Sequence, residues 1–192
     1  MNPRVLVACP TCEKKDYAFE RWATAYDEFT YPAKSAFMVD NTKGSLDYVH
    51  RIREAGIPAV HIEPLPNIGI NFTQTLELCW REIAYHAACG GYEYVASIES
   101  DVICPPRTLD VLLAHAEGKD IVGHSYPLRS TWHAQNGAAM RIVALGCTLV
   151  RTDWLCADMD LWVNGPEQDL WRTQRAAQIE NLLEIQHLEV GE

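Results

Sequence analysis

Hydrophobic positions recur along the chain in two rhythms that take turns. Val5–Cys9 is an unbroken apolar run, the pattern of a strand buried on both faces. From Asp16 the spacing lengthens, and Ala18, Trp22, Ala25 and Phe29 fall on one face of a helix over 16–29. A second strand is expected at 36–40 ("AFMVD"), a helix from about Ser45 to Ala55, and a third strand at 57–62 ("IPAVHI"). In the long helix that follows, Phe72, Leu76, Cys79, Trp80, Ile83 and Ala87 recur at helical spacing, and Asn71 with Gln74 forms a capping-box pattern. "YEYVASIES" (92–100) predicts a fourth strand that ends in acid.

Pro106 suits the first turn of a helix through Ala116. Strands are expected at 120–124 and 142–150, the latter broken near Gly146, then a last helix from near Pro166 and an alternating strand at 182–190. Strand–helix alternation over the first part of the chain predicts an α/β fold with a mostly parallel central sheet between helical layers. Ligands are expected over the C-terminal edges of its strands.

The 192 residues suffice for one compact domain, and 48% hydrophobic with 22% charged residues is the composition of a soluble globular protein. Sixteen basic against 26 acidic residues give a net charge of −10, which argues against nucleic-acid binding. An acidic protein that handles phosphates usually needs a metal to bring them in. No apolar run approaches the ~20 residues of a membrane span, and the N-terminus has no signal-peptide pattern, so the expected address is cytoplasmic. Seven cysteines (9, 12, 79, 89, 104, 147 and 156) are scattered through apolar segments, as small buried hydrophobes are.

Cys9-Pro10-Thr11-Cys12 forms a CxxC directly after the first strand. Thioredoxin- and glutaredoxin-like proteins hold a dithiol at such a junction, where a helix N-terminus lowers the thiol pKa. "GIPAV" (56–60) is similar to the Ile-Pro element of that family. Against this, the helix begins nearer Asp16 than Cys12, and the remaining acidic motifs are left without a role. No second CxxC and no suitably spaced Cys/His pair closes a zinc site.

The sharper motif is Glu99-Ser100-Asp101 at the end of the fourth strand. If the strand continued through 98–101, both carboxylates would project from one face. Two hard oxygen ligands there suit Mg²⁺ or Mn²⁺ bridging a diphosphate. Equally, Asp101 could cap the turn before Pro105-Pro106, with Glu99 a solvated strand end.

With this motif the chain resembles the GT-A-fold glycosyltransferases, particularly the inverting family-2-like group, over nearly its whole length. Their Asp-x-Asp reads Glu99-Ser100-Asp101 here. The resemblance implies a Rossmann-like three-layer sandwich, with residues 1–101 as the nucleotide-binding half and 102–192 as the acceptor and catalytic half. It implies that Pro10, Thr11 and Cys12 lie against the nucleotide, joined by Asp40 and Asn41 after the second strand, the Asn67-Ile68-Gly69 turn, and Ser100. It implies metal ligation by Glu99 and Asp101, completed by the late His187. "GPEQDLWRTQR" (165–175) is similar to the family's catalytic helix start, so the base is Asp169 or Glu167, with Asp169 the first choice. Acids in a first helical turn after Pro166 also simply favour the helix dipole.

The implied reaction is metal-dependent transfer of a sugar from a UDP- or GDP-sugar to an acceptor hydroxyl, with inversion. The acceptor is a glycan, a lipid-linked molecule or a small molecule, and homodimerisation is left open. In this reading Lys14-Lys15 faces phosphate, unless both lysines are solvated. The segment 125–141, with Arg129, Trp132 and His133, covers the site as a loop. The competing classes are a nucleotidyltransferase, a non-catalytic nucleotide-sugar-binding protein and, as an outsider, the CxxC redox protein. A nucleotidyltransferase usually has a glycine-rich basic loop for the triphosphate, and "CPTCEKK" has no glycine.

Overall fold

The computed structural model describes residues 2–65, 71–124, 146–159, 176–179 and 183–188, with backbone only for 71–73, 176–179 and 187. Nine strands and five helices follow in the order β1 (Val5–Thr11), α1 (Asp16–Glu28), β2 (Lys34–Asp40), α2 (Asp47–Glu54), β3 (Ala59–His61), α3 (Asn71–Cys89), β4 (Tyr94–Ile98), β5 (Val102–Ile103), α4 (Thr108–Ala114), β6 (Ile121–His124), β7 (Cys147–Arg151), α5 (Thr152–Ala157), β8 (Ala176–Ile179) and β9 (Gln186–His187) among the described residues. A single 3-10 turn, Glu13–Lys15, separates β1 from α1.

Seven strands form one sheet in the order β3-β2-β1-β4-β7-β6-β8. The pairs β2–β3, β1–β2, β1–β4 and β6–β8 are parallel, and β7 runs antiparallel to both β4 and β6. The expected mostly parallel sheet is therefore present. A separate two-stranded ribbon pairs β5 with β9, with Val102 opposite His187.

Period-two alternation divides the core. Val5, Val7 and Cys9 of β1 join Ala36 and Met38 of β2 and Ala96 and Ile98 of β4 on one face, under α1, α2 and α4. Leu6, Ala8, Phe37, Val39 and Val95 face the other way, against Cys79, Trp80, Ile83 and Ala87 of α3 and Leu155 of α5. Strands covered by helices on both faces need apolar residues at every position, which is why β1 shows no polar alternation in sequence. At the end of α2, Gly56 adopts φ +81°, a left-handed conformation that a Cβ disfavours, and turns the chain toward β3.

Three expectations are corrected. β4 stops at Ile98, so Glu99, Ser100 and Asp101 lie in a turn and not on one strand face. Residues 176–179 form β8 on the sheet edge, a strand that the sequence pattern did not show. The alternating stretch 182–190 forms only a two-residue strand among its described residues. The helix start at Pro166, the segment 125–141 and the first part of the 142–150 strand lie outside the described residues.

Candidate functional site

β2 and β3 lie to one side of β1 and β4 lies to the other, so the sheet order reverses direction between β1 and β4. A crevice at the C-terminal ends of strands is expected at such a switch point. A cavity of about 300 Å³ lies there, lined by Pro10, Thr11, Cys12, Lys15, Asn41, Leu76, Trp80, Ser97 and Glu99. That volume is at the lower end of the roughly 300–1,000 Å³ range of small-molecule sites.

The turn carrying the two acids is fixed from several elements. The indole N–H of Trp22 in α1 donates to the carbonyl of Ile98 at 3.3 Å, anchoring the last residue of β4. The Thr11 hydroxyl donates to the Ser100 hydroxyl oxygen at 2.9 Å, joining the end of β1 to the turn. The Glu99 N–H reaches the carbonyl of Gly146 at 3.2 Å, and the Leu188 N–H reaches the carbonyl of Asp101 at 2.8 Å. The chain around β9 is thereby held beside Asp101, and His187 stands opposite Val102 in register. The ribbon thus brings the backbone of the predicted late histidine to the acid turn across a gap of 85 positions.

Lys15 occupies the centre of the charge arrangement. Its ammonium lies 2.9 Å from Oδ1 of Asp101 and 3.8 Å from Oε2 of Glu99. Partial burial works against the charged amine, but the neighbouring Glu99 and Asp101 carboxylates outweigh it and hold the Lys15 pKa above its ordinary value. The Tyr17 hydroxyl, 3.4 Å away, donates to the other Asp101 oxygen. Asp101 itself is only 2% exposed.

Ser97 adds a different kind of signal. It is 1% exposed, it lines the cavity, and its hydroxyl has no hydrogen-bond partner among the described residues. A buried hydroxyl without a partner costs about 1–3 kcal/mol, so this position favours a ligand that supplies one.

Of the predicted site residues, Pro10, Thr11, Cys12, Asn41 and Glu99 line the cavity, while Ser100 and Asp101 sit in the turn that borders it. Asp40 is fully buried, and one oxygen accepts the Thr42 N–H at 3.0 Å and hydroxyl at 2.6 Å. Its other oxygen lies 2.8 Å from Nδ1 of His61. Asp40 thus braces the loop after β2 that carries Asn41. Asn67, Gly69, Glu167, Asp169, Arg129, Trp132 and His133 lie outside the described residues, as does the His187 side chain. Sequence reasoning missed Ser97, Leu76, Trp80 and Tyr17. A lone serine inside the apolar run "YVASI" was the available signal for the first, whereas Trp80 was indistinguishable from the core face of its helix.

The CxxC is not a redox centre. Cys9 is an interior residue of β1, fully buried, and burial pushes its thiol up to about 12, far from a reactive thiolate. All seven cysteines are free. Cys12 precedes the 3-10 turn, three residues before α1 begins.

The donor set suits a divalent cation. Two carboxylates already converge on one positive charge, both offer hard oxygens, and the β5–β9 register adds a histidine position next to them. No cluster of three or more His, Cys, Asp or Glu side chains forms among the described residues.

The chain matches no protein-family model, and comparison with curated proteins gives no significant match. Solved structures do match. Glucosyl-3-phosphoglycerate synthase from Mycobacterium tuberculosis, in complex with Mn²⁺, UDP and glucosyl-3-phosphoglycerate, superposes with a TM-score of 0.61. It is 15% identical, over 98% of this chain and 73% of that one. TarS residues 1–349 from S. aureus, in complex with UDP-GlcNAc, gives a TM-score of 0.64 at 14% identity, over 98% of this chain and 60% of that one. At such identities the likeness is one of architecture, and it agrees with the strand order and the placement of the cavity: the chain has the GT-A fold of glycosyltransferases.

Proposed function

We propose that the protein is a glycosyltransferase that moves a sugar from a UDP- or GDP-sugar to an acceptor hydroxyl, with inversion at the anomeric carbon. The observation that carries this reading is the coincidence of the cavity at the β1/β4 switch point with the Glu99-Ser100-Asp101 turn. The GT-A likeness and the nucleotide complexes of the two neighbours support it.

In this reading the nucleoside lies in the cavity between Pro10-Thr11-Cys12 and Asn41, with Trp80 and Leu76 as apolar walls and the Ser97 hydroxyl as a hydrogen-bonding partner. The Asn67-Gly69 turn closes the same site. Asp101, Glu99 and His187 would hold Mn²⁺ or Mg²⁺, which when bound supplies Lewis-acid neutralisation of the departing diphosphate. Lys15 adds a fixed positive charge where that diphosphate develops. Asp169, or Glu167, accepts the proton of the acceptor hydroxyl as its oxygen attacks the anomeric carbon from the face opposite the leaving group. Residues up to 101 then bind the donor, and the rest serve the acceptor within one domain. The acceptor is a glycan, a lipid-linked molecule or a small molecule. We place the enzyme in the cytoplasm, where free cysteines persist. No helix among the described residues is long and apolar enough to cross a membrane.

The test is release of nucleoside diphosphate from UDP-glucose, UDP-GlcNAc and GDP-mannose in the presence of Mn²⁺. One donor should be consumed by the wild type and spared by Asp101→Asn. Consumption of none, with no diphosphate bound, contradicts the reading.

A further inference from the structure

We propose that Lys15 is the resident counter-cation of the Glu99–Asp101 pair. It yields those carboxylates to a divalent ion when a diphosphate takes up its ammonium, so that metal and nucleotide bind as one cooperative unit. This rests on the glycosyltransferase reading and assigns that site its order of assembly.

The geometry makes lysine and metal competitors. Oδ1 of Asp101 already accepts the Lys15 ammonium at 2.9 Å, and Oε2 of Glu99 lies 3.8 Å from the same nitrogen. A hard divalent ion on that Asp101 oxygen would stand about 2.1 Å from it, directly against the ammonium. Three positive charges do not share that space, so one cation leaves. Lys15 also lines the cavity beside Thr11 and Cys12, and its side chain is one-third exposed. Its flexible four-carbon stem can therefore carry the charge into the cavity.

The charge count gives the direction of coupling. Glu99 and Asp101 together carry −2, and the lysine reduces this to −1. Replacement by a divalent ion brings the pair to zero and frees one positive charge over the cavity, where only an anionic ligand compensates it. Metal without diphosphate strands the ammonium, whereas diphosphate without metal must pull the lysine from its partners. Each ligand consequently raises the affinity of the other, and by the same factor.

The experiment is calorimetric titration of Mn²⁺ into wild type, Lys15→Met, Lys15→Gln and Lys15→Arg, each with and without UDP. Wild type should bind Mn²⁺ weakly alone and about tenfold or more tightly with UDP, within the usual range of coupling. Lys15→Met and Lys15→Gln should bind Mn²⁺ alone about tenfold more tightly than wild type, and UDP should add little. Asp101→Asn in the Lys15→Met background should abolish that gain. Lys15→Arg, which keeps the charge, should behave like wild type. If Met lowers thermal stability by leaving Asp101 unpaired, Mn²⁺ should restore the melting temperature of that variant more than it raises that of wild type.

Mn²⁺ affinity that is unchanged or lower in both uncharged variants overturns the proposal, as does an arginine variant that behaves like methionine. Absence of UDP binding in every protein overturns the glycosyltransferase reading instead, and the metal-only titrations then still decide the competition at Asp101.

Discussion

The indole N–H of Trp22 donates to the carbonyl of Ile98 at 3.3 Å, tying α1 to the residue at which β4 gives way to the acid turn. Trp22 is also stacked on Tyr26, with ring centroids 5.8 Å apart, and is almost fully buried. One side chain therefore serves both the core and the position of Glu99. Trp22→Phe should lower the unfolding free energy by about 2 kcal/mol, from lost buried area and one lost hydrogen bond. Urea denaturation measures this directly, and a loss below about 0.5 kcal/mol would show that the indole does not hold this end of the strand.

Asp40 and Asn41 are adjacent in sequence but should fail in different ways. Asp40→Ala removes the acceptor for two groups of Thr42 and the partner of His61 in a fully buried position. The expected cost is about 2–4 kcal/mol of stability. Asn41→Ala alters a cavity wall and should change stability by no more than about 0.5 kcal/mol, while weakening nucleotide binding about fivefold. Equal stability losses in the two variants would contradict this division.

The thiols should separate by burial. Cys89 and Cys156 are exposed, whereas Cys9 and Cys79 are buried and burial pushes both thiols up to about 12. Alkylation of the native protein near pH 8 should modify Cys89 and Cys156 first and leave Cys9 unmodified until unfolding, as read by mass mapping. Rapid, selective modification of Cys9 would reopen the redox reading.

The same shift sets an alkaline limit. An acid whose pKa is raised on folding keeps its proton in the folded state above pH 9, where the unfolded chain has lost it. Stability from the neutral thiol is thus fully present below about pH 9 and declines as pH rises toward 12, by up to about 1.4 kcal/mol per unit for each such group. Cys9→Ala should flatten this decline in denaturation series from pH 8 to 10.5. An unchanged slope would remove Cys9 from the cause.

The first half of the fold was legible because its signals are long. α1 was expected over 16–29 and spans Asp16–Glu28, and the face read in α3 from Cys79, Ile83 and Ala87 is the buried one. The antiparallel direction of β7 was not legible, since an apolar run for a strand covered on both faces reads alike in either direction. β8 is the four residues "AAQI", too short and too small to show a period. In the site, the acid pair was visible as a motif, but its geometry was not, because β4 ends one residue before Glu99. Lys15 meets Asp101 across 86 positions, and in sequence it is one of two ordinary lysines near a helix start. Only the topology that puts β1 beside β4 makes it part of the site.

The central claim is that the β1/β4 cavity binds a nucleoside diphosphate together with a divalent ion at Asp101. Its most direct test is calorimetric titration of UDP and GDP, each with and without Mn²⁺, into wild type and Asp101→Ala. Binding of one of them that requires Mn²⁺ and is lost in Asp101→Ala is the predicted result. Failure of both to bind under either condition, or binding that is indifferent to Mn²⁺ and to Asp101, would contradict it.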